Sequence, residues 1–275
     1  MNIGVGIVGF GYMGRIHAAA YQQAGAQLIA VHAPGLEHSH VHEITDDGNL
    51  ASHASLDVSE TAIEPSVDEL LARPDITAVS ICTPTDTHVD FALAALHSGK
   101  HVLIEKPVAL TPDPIEHLAQ ISLQTQRLCM PAMCMRFWPA WSWLKNRIDD
   151  QSFGPLLSLE RTRRGAAPTW NGAFYLDPHR SGSALFDLHV HDTDFIMHAM
   201  GSPRSVFTSG ATTQMTTIYQ YDTGHTGPFT AAGGWLPSAS APFTMRYIAT
   251  FEHRIAVLDL GRDHELIDHH TASNT

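Results

Sequence analysis

Positive charge is scarce in this sequence. Its 275 residues carry 16 Lys and Arg against 28 Asp and Glu, a formal net charge of −12. A surface of that sign gives nucleic acid and anionic membranes no basic face to dock on, which excludes both as the main partner. Cysteine is equally sparse. Cys82, Cys129 and Cys134 are an odd, scattered set without a CxxC pair, so there is no disulfide framework and no zinc site, and a reducing compartment is expected. No apolar run approaches the roughly 20 residues of a membrane span. The start, "MNIGVGIVGFGYMG", lacks a basic leader and a cleavage site and reads as a first strand. A cytoplasmic protein is the expectation.

What remains is the composition of a globular chain, 44% hydrophobic and 16% charged, long enough for two domains with a core each. Histidine is common, at 19 residues. The clusters "EHSHVHE" (37–43) and "DHELIDHH" (263–270) sit in polar, loop-like sequence and read as solvated surface.

From residue 2 the chain alternates strand and helix. "NIGVGIVGF" is an apolar strand, "RIHAAAYQQAG" an alanine-rich helix ending at Gly25, and "AQLIAVHA" a second strand. Residues 34–65 are polar and give no clear element. "SVDELLARP" opens with Ser66 and Glu69 in a capping box. "DITAVSIC", the helix "DTHVDFALAALHSG", the strand "HVLIEKPVAL", the helix "TPDPIEHLAQISLQTQ" and the strand "RLCMPAMCM" complete the run. Such alternation implies a doubly wound parallel sheet covered on both faces. Ligands bind at the carboxyl edge of such sheets. Three segments belong at that edge: the turn "GFGYMG" (9–14), the loop "CTPTDTH" (82–88), and the pair Glu105 and Lys106.

The turn carries Gly9, Gly11 and Gly14 in GxGxxG spacing. The first glycine permits a tight turn, the second lets backbone approach a pyrophosphate, and the third lets helix and strand pack closely. The following helix N-terminus supplies N–H groups for the phosphates. With a strand before it and a helix after it, the turn predicts dinucleotide binding by Gly9, Phe10, Gly11, Tyr12, Met13 and Gly14. The acidic residue that commonly ends the second strand is missing; the chain reads "AVHAPGLEH", with Ala33 near that position. NAD and NADP both remain open, with Glu37 or His38 as ribose contacts.

After a linking helix in "RFWPAWSWLKNRI", whose Trp138, Trp141 and Trp143 are expected to pack the domain junction, the pattern changes. "LLSLERTRR", "RSVFTSGATT", "MTTIYQYD", "FTAAGGWL", "FTMRYIATFE" and "RIAVLDLG" are strand-like segments joined by turns, which marks an antiparallel sheet. One helix interrupts them, between Ser181 and Gly201. On it Asp187 and His191 are four apart and share a face, with Asp194 three further on. Flanking carboxylates would raise the histidine pKa and fix its tautomer, as a general base requires. A satisfied buried histidine remains the plainer reading of this helix alone. His189 and His191 point nearly opposite ways, so no metal site is expected.

The glycine turn, "CTPTDTH", "EKPVALT" and "GSALFDLHVHDTDF", in this order, resemble the Gfo/Idh/MocA oxidoreductases, the glucose–fructose oxidoreductase and inositol dehydrogenase group. The resemblance covers nearly the whole chain. It implies a Rossmann domain over 1–127 and an α+β domain with an open, mainly antiparallel sheet over 128–275. It assigns Lys106, Asp187 and His191 to catalysis. It places Thr83, Pro84, His88, Glu105 and Arg136 near the cofactor, NAD or NADP. The implied reaction is hydride transfer between the nicotinamide and a secondary alcohol of a sugar, inositol or related polyol, in a homodimer or homotetramer built through the second sheet. A redox-assisted glycosidase or lyase and a non-catalytic ligand sensor are the alternatives. The segment 163–180, with Arg163, Arg164, Trp170, Asn171, Tyr175 and Arg180, is the expected substrate lining. Two departures stand out: Gly182-Ser183-Ala184 replaces the usual three glycines, and the chain stops soon after the last strand, where family members continue with further helices. That is expected of a short variant or a truncated product.

Overall fold

A computed structural model describes residues 3–36, 58–169, 171–222, 227–238 and 241–260, with 266–270 as backbone strand alone. Glu37, His38 and Trp170 lie outside the described residues, as does the 37–43 histidine cluster. The chain divides into two compact units, Met1–Ala132 and Met133–Thr275.

The first unit is built on six parallel strands: β1 (Gly4–Val8), β2 (Gln27–His32), β3 (Ala62–Ile63), β4 (Ala78–Ile81), β5 (His101–Ile104) and β6 (Cys129–Pro131). Their spatial order is β3-β2-β1-β4-β5-β6, with each neighbouring pair parallel. This is the doubly wound order whose switch point lies between β1 and β4. The helices are α1 (Tyr12–Gln23), α2 (Val67–Ala72), α3 (His88–His97) and α4 (Pro112–Thr125). Successive side chains of a strand face opposite ways, so Ile7 joins Phe10, Ala18, Leu28 and Val31 in one core. Val8 joins Leu70, Ile81, Leu96 and Ile104 in the other. At the start of α2, Ser66 Oγ accepts from the Glu69 N–H at 3.1 Å, as the capping-box spacing predicts.

The second unit starts with α5 (Pro139–Asp150), then β7 (Leu156–Ala166) and two short turns of helix, α6 (Gly172–Tyr175) and α7 (Pro178–Ser181). A π-helical turn, Leu185–His189, runs directly into α8 (Val190–Met200). The strands β8 (Ser205–Ala211), β9 (Gln214–Gln220), β10 (Phe229–Leu236), β11 (Thr244–Phe251), β12 (Arg254–Asp259) and β13 (Leu266–His270) complete it. The sheet order is β13-β12-β11-β7-β10-β9-β8. It is antiparallel except for β7 and β10, which run parallel. Strand β11 alternates buried with half-buried residues. Its Met245, Tyr247, Ala249 and Phe251 share one core with Trp141, Leu144, Phe195 and Ile196. Every residue of the edge strand β8 is exposed.

Three sequence expectations change. Residues 266–270 of "DHELIDHH" form a strand paired with β12 rather than loop, because backbone pairing at a sheet edge asks little of side-chain polarity. Trp141, expected at the domain junction, is buried in the core of the second unit, 4.9 Å from the Phe195 ring and 5.1 Å from Tyr247. The helix predicted over Ser181–Gly201 is not uniform: it begins with short helical and π-helical turns, and Gly182 and Ser183 before them both take left-handed backbone, φ 70° and 61°.

Candidate functional site

In the first unit the glycine turn joins β1 to α1. Gly9 has φ 90°, and a Cβ there would lie 2.7 Å from the Cys82 carbonyl, so only glycine fits both the turn and the neighbouring backbone. A Cβ on Gly14 would meet the Gly9 carbonyl at 2.2 Å, which is the close helix–strand approach that the third glycine allows. Gly11 differs. A Cβ there would meet no protein atom within 4 Å, so the backbone at this position is open to approach. Gly11 is also the N-cap of α1, which has no side-chain cap and no acidic residue in its first turn. An uncapped helix start facing open space fits a dinucleotide pyrophosphate. The Phe10 ring is buried in the core, with the Arg15 guanidinium 5.0 Å above it, so Phe10 can meet a ligand only through its backbone.

The loop after β4 is tied to the segment after β5. Thr87 Oγ1 donates to the Pro84 carbonyl at 2.8 Å. The His88 ring is 1% exposed; its Nδ1 is 2.9 Å from the Pro107 carbonyl and its Nε2 2.7 Å from that of Thr83. Burial lowers the His88 pKa below its ordinary value, against the pull of those two carbonyls and of Glu105. Glu105 is buried as well. Its carboxylate meets His17 Nε2 at 2.9 Å and accepts the Lys106 backbone N–H at 3.1 Å. Burial alone would raise its pKa, but the His17 hydrogen bond and the charges of His17 and Lys106 bring it below the usual value. His17, Ser80 and Tyr21, which hold this carboxylate in place, were missed by sequence reasoning. His17 and Glu105 are 88 positions apart, and no local pattern connects them.

In the second unit the residues of interest ride on the π turn and α8. The Trp235 indole N–H donates to Asp187 Oδ2 at 3.3 Å. His189 Nε2 lies 2.8 Å from Thr217 Oγ1 on β9. Burial lowers the His189 pKa, Arg161 and Arg163 lower it further, and Asp192 opposes them. His191 is buried. Asp194, expected beside His191, places its carboxylate on Arg136 in a bidentate pair, 2.9 and 2.5 Å; Arg136 thereby has a partner on α8. Beneath the helix, Arg161 on β7 donates to both the backbone carbonyl (2.5 Å) and the carboxylate (2.6 Å) of Asp192, while Arg163 Nε reaches the same oxygen at 3.2 Å. The Arg161 guanidinium is fully buried, 4.2 Å over the Trp141 ring and 5.0 Å over that of Phe195. Burial pulls its pKa down to about 10, so it stays charged at neutral pH. Trp235, Arg161 and Asp192 escaped sequence reasoning, while Arg163, expected in the substrate lining, is instead buried against Asp192; the alternation of Arg161 and Arg163 on one strand face was the available signal. Of the expected substrate lining, Tyr175 packs edge-on against Trp235, and Arg180 stacks over Phe174.

Among the described residues, no group of three or more His, Cys, Asp or Glu is arranged to hold a metal ion, and no helix is long and apolar enough to cross a membrane.

Comparison with known proteins supplies the family. Residues 3–133 match the model of an oxidoreductase family with an NAD-binding Rossmann fold, and residues 141–252 match the GFO/IDH/MocA C-terminal domain. The chain belongs to the Gfo/Idh/MocA oxidoreductase family. Among its relatives, the scyllo-inositol 2-dehydrogenase (NAD(+)) of Bacillus subtilis is 30% identical over 202 residues, 71% of this chain and 53% of the relative. The inositol 2-dehydrogenase of Rhizobium meliloti is 29% identical over 213 residues, 77% and 59% of the two chains. A solved levoglucosan dehydrogenase, in complex with NADH and levoglucosan, shares the fold at a TM-score of 0.82 and 19% identity, covering 100% of this chain and 78% of that one. The chain spans between half and three fifths of the length of the curated relatives it matches.

Proposed function

We propose that the chain is an NAD-dependent dehydrogenase acting on a secondary alcohol of a sugar, inositol or related polyol. The observation that carries this reading is the open, uncapped helix start at Gly11 in a chain of this family, beside the motif resemblance that assigns Lys106, Asp187 and His191 to catalysis. The activities named for the inositol and levoglucosan relatives support the substrate class. NAD fits better than NADP, since residues 33–36 after β2 carry no cationic side chain for a 2′-phosphate.

Backbone of residues 9–14 and the first turn of α1 would hold the pyrophosphate, with the Thr83–Pro84 loop beside the nicotinamide. When bound, the dinucleotide supplies the hydride-accepting carbon. His191 removes the substrate hydroxyl proton, and Lys106 donates a hydrogen bond to the same oxygen, stabilising the negative charge that grows there. Asp187, four residues before His191 on the same segment, is assigned to orienting the imidazole. Trp235, by donating to Asp187, keeps that carboxylate in one rotamer. The exposed strand β8, with Val206 and Phe207 largely in solvent, supports a homodimer or homotetramer formed through the second sheet, which light scattering would report.

A panel of sugars, inositols and their uronates, followed by reduced-nicotinamide absorbance with each dinucleotide, tests the activity. Lys106→Met and His191→Ala should each lower turnover by roughly 10²- to 10⁴-fold with dinucleotide affinity nearly unchanged. Because groups serving one step are not additive, the double variant should lose little beyond either single one. Full turnover in both single variants would overturn the role assignment. Substrate loss without net reduction of the dinucleotide would point instead to a redox-assisted lyase or glycosidase.

A further inference from the structure

Lys106 stands two residues beyond the end of β5, and the groups around its backbone are not those a solvent-facing strand end would need. On one side, Glu105 turns its carboxylate inward to His17 on α1. His17 is in turn fixed by Ser80 Oγ at 3.1 Å, and Ser80 by the Tyr21 hydroxyl at 2.6 Å. The second Glu105 oxygen accepts the Lys106 N–H. On the other side, the His88 ring stands between the carbonyls of Pro107 and Thr83. Both ring nitrogens lie within hydrogen-bond distance of a carbonyl, so the imidazole bridges the two backbone segments. The segment 105–107 is therefore held at both ends, by the half-buried His17 ring through the Glu105 carboxylate and by the buried His88 ring at the Pro107 carbonyl.

We propose that His17 and His88 are positioning residues that clamp the Glu105–Pro107 peptide and so fix where the Lys106 ammonium stands. This rests on the reading of Lys106 given above. His17 ties the lysine to the helix that begins at the glycine turn, and His88 ties it to the Thr83 loop. Both elements belong to the dinucleotide half of the molecule, so the lysine is held in register with the cofactor's own scaffold. His88 acts from beneath the loop and makes no contact with the cofactor itself. The buried, ionised Glu105 would be stranded without the His17 hydrogen bond, and its carboxylate would then turn toward the nearest cation.

The test reads Lys106 directly and needs no substrate. The rate of Lys106 acetylation by acetic anhydride is measured by peptide mass spectrometry in His17→Ala, His88→Ala and the wild type, with NADH affinity followed by fluorescence. An amine's reactivity follows its pKa and placement, so the alanine variants should change the Lys106 rate by about 3- to 10-fold. NADH affinity should stay within about twofold, as for sites that do not touch. On an identified substrate, turnover should fall by about 10²-fold, the cost of a misplaced reacting group, with KM little changed. If the alanine variants do not fold, His17→Gln and His88→Gln, which each keep one donor, decide the matter: a smaller change in the same direction supports the clamp. A wild-type Lys106 rate in folded variants overturns it. So does a large loss of NADH affinity with an unchanged Lys106 rate, which would make His88 a cofactor contact. Failure of the Lys106 assignment is separate, since it shows as full turnover in Lys106→Met, whatever the acetylation rates.

Discussion

In the first unit the chemical groups stand at strand ends, held by a glycine turn, by hydrogen bonds to backbone and by the His17–Glu105 pair; in the second they ride on a helix braced from below by buried charge. The first arrangement depends on backbone shape, where a carbon atom at Gly14 would collide with a carbonyl. The second depends on electrostatic balance, where one carboxylate, Asp192, faces two guanidiniums with almost no solvent. A backbone device fails when volume is added to it. A charge device fails when a partner is removed. The two units are thus exposed to two different kinds of damage.

The largest expected effect breaks the charge device. Asp192→Ala leaves Arg161 and Arg163 uncompensated in the interior and should destabilise the protein by about 3–5 kcal/mol, read from the urea midpoint. A loss below 1 kcal/mol would mean that water or rearranged side chains already carry the guanidiniums. Next comes the backbone device. Gly14→Ala must push α1 away from β1, at a cost of about 1–3 kcal/mol, and NADH binding should weaken with it. Intact stability and intact binding in that variant would show that the turn tolerates volume, and the contrast between the units would be lost.

A smaller effect of opposite sign is expected just before the π turn. Ser183 holds a left-handed backbone, φ 61°, where a side chain costs about 1–2 kcal/mol. Ser183→Gly should relieve part of that cost and raise the melting temperature, unless the hydrogen bond from its N–H to Ser181 Oγ (3.0 Å) depends on the serine. The smallest effect is acid sensitivity, shared by both units. His88 and His189 have pKa values lowered by burial from the ordinary 6.5, so the folded state binds fewer protons than the unfolded chain. Their contribution is fully present above about pH 6.5 and is lost as pH falls through the lowered values. Denaturation midpoints at pH 7.5 and 5.5 should show this decline, and His189→Gln should flatten it.

Much of the fold was legible in the sequence because its signals are local. The spacing of Gly9, Gly11 and Gly14, the capping box at Ser66 and the alternation of apolar runs each report on residues a few positions apart. The resemblance likewise named Lys106, Asp187 and His191 from short motifs. What escaped lies in long-range pairing. His17 meets Glu105 across 88 positions and Arg161 meets Asp192 across 31, and nothing in either neighbourhood names the partner. The parallel pairing of β7 with β10 was hidden for the same reason, since a strand's apolar pattern reports its faces and not its neighbour. The π turn was hidden by a different one: its residues are those of any amphipathic helix, and the winding is set by what packs against it.

The bond between His17 and Glu105 also imposes an order on synthesis. With translation at roughly 5–20 residues per second, about 4 to 18 seconds separate the emergence of the imidazole from that of its carboxylate. Throughout that interval the imidazole has no Glu105 to meet, so this bond is made only once the fifth strand has been synthesised.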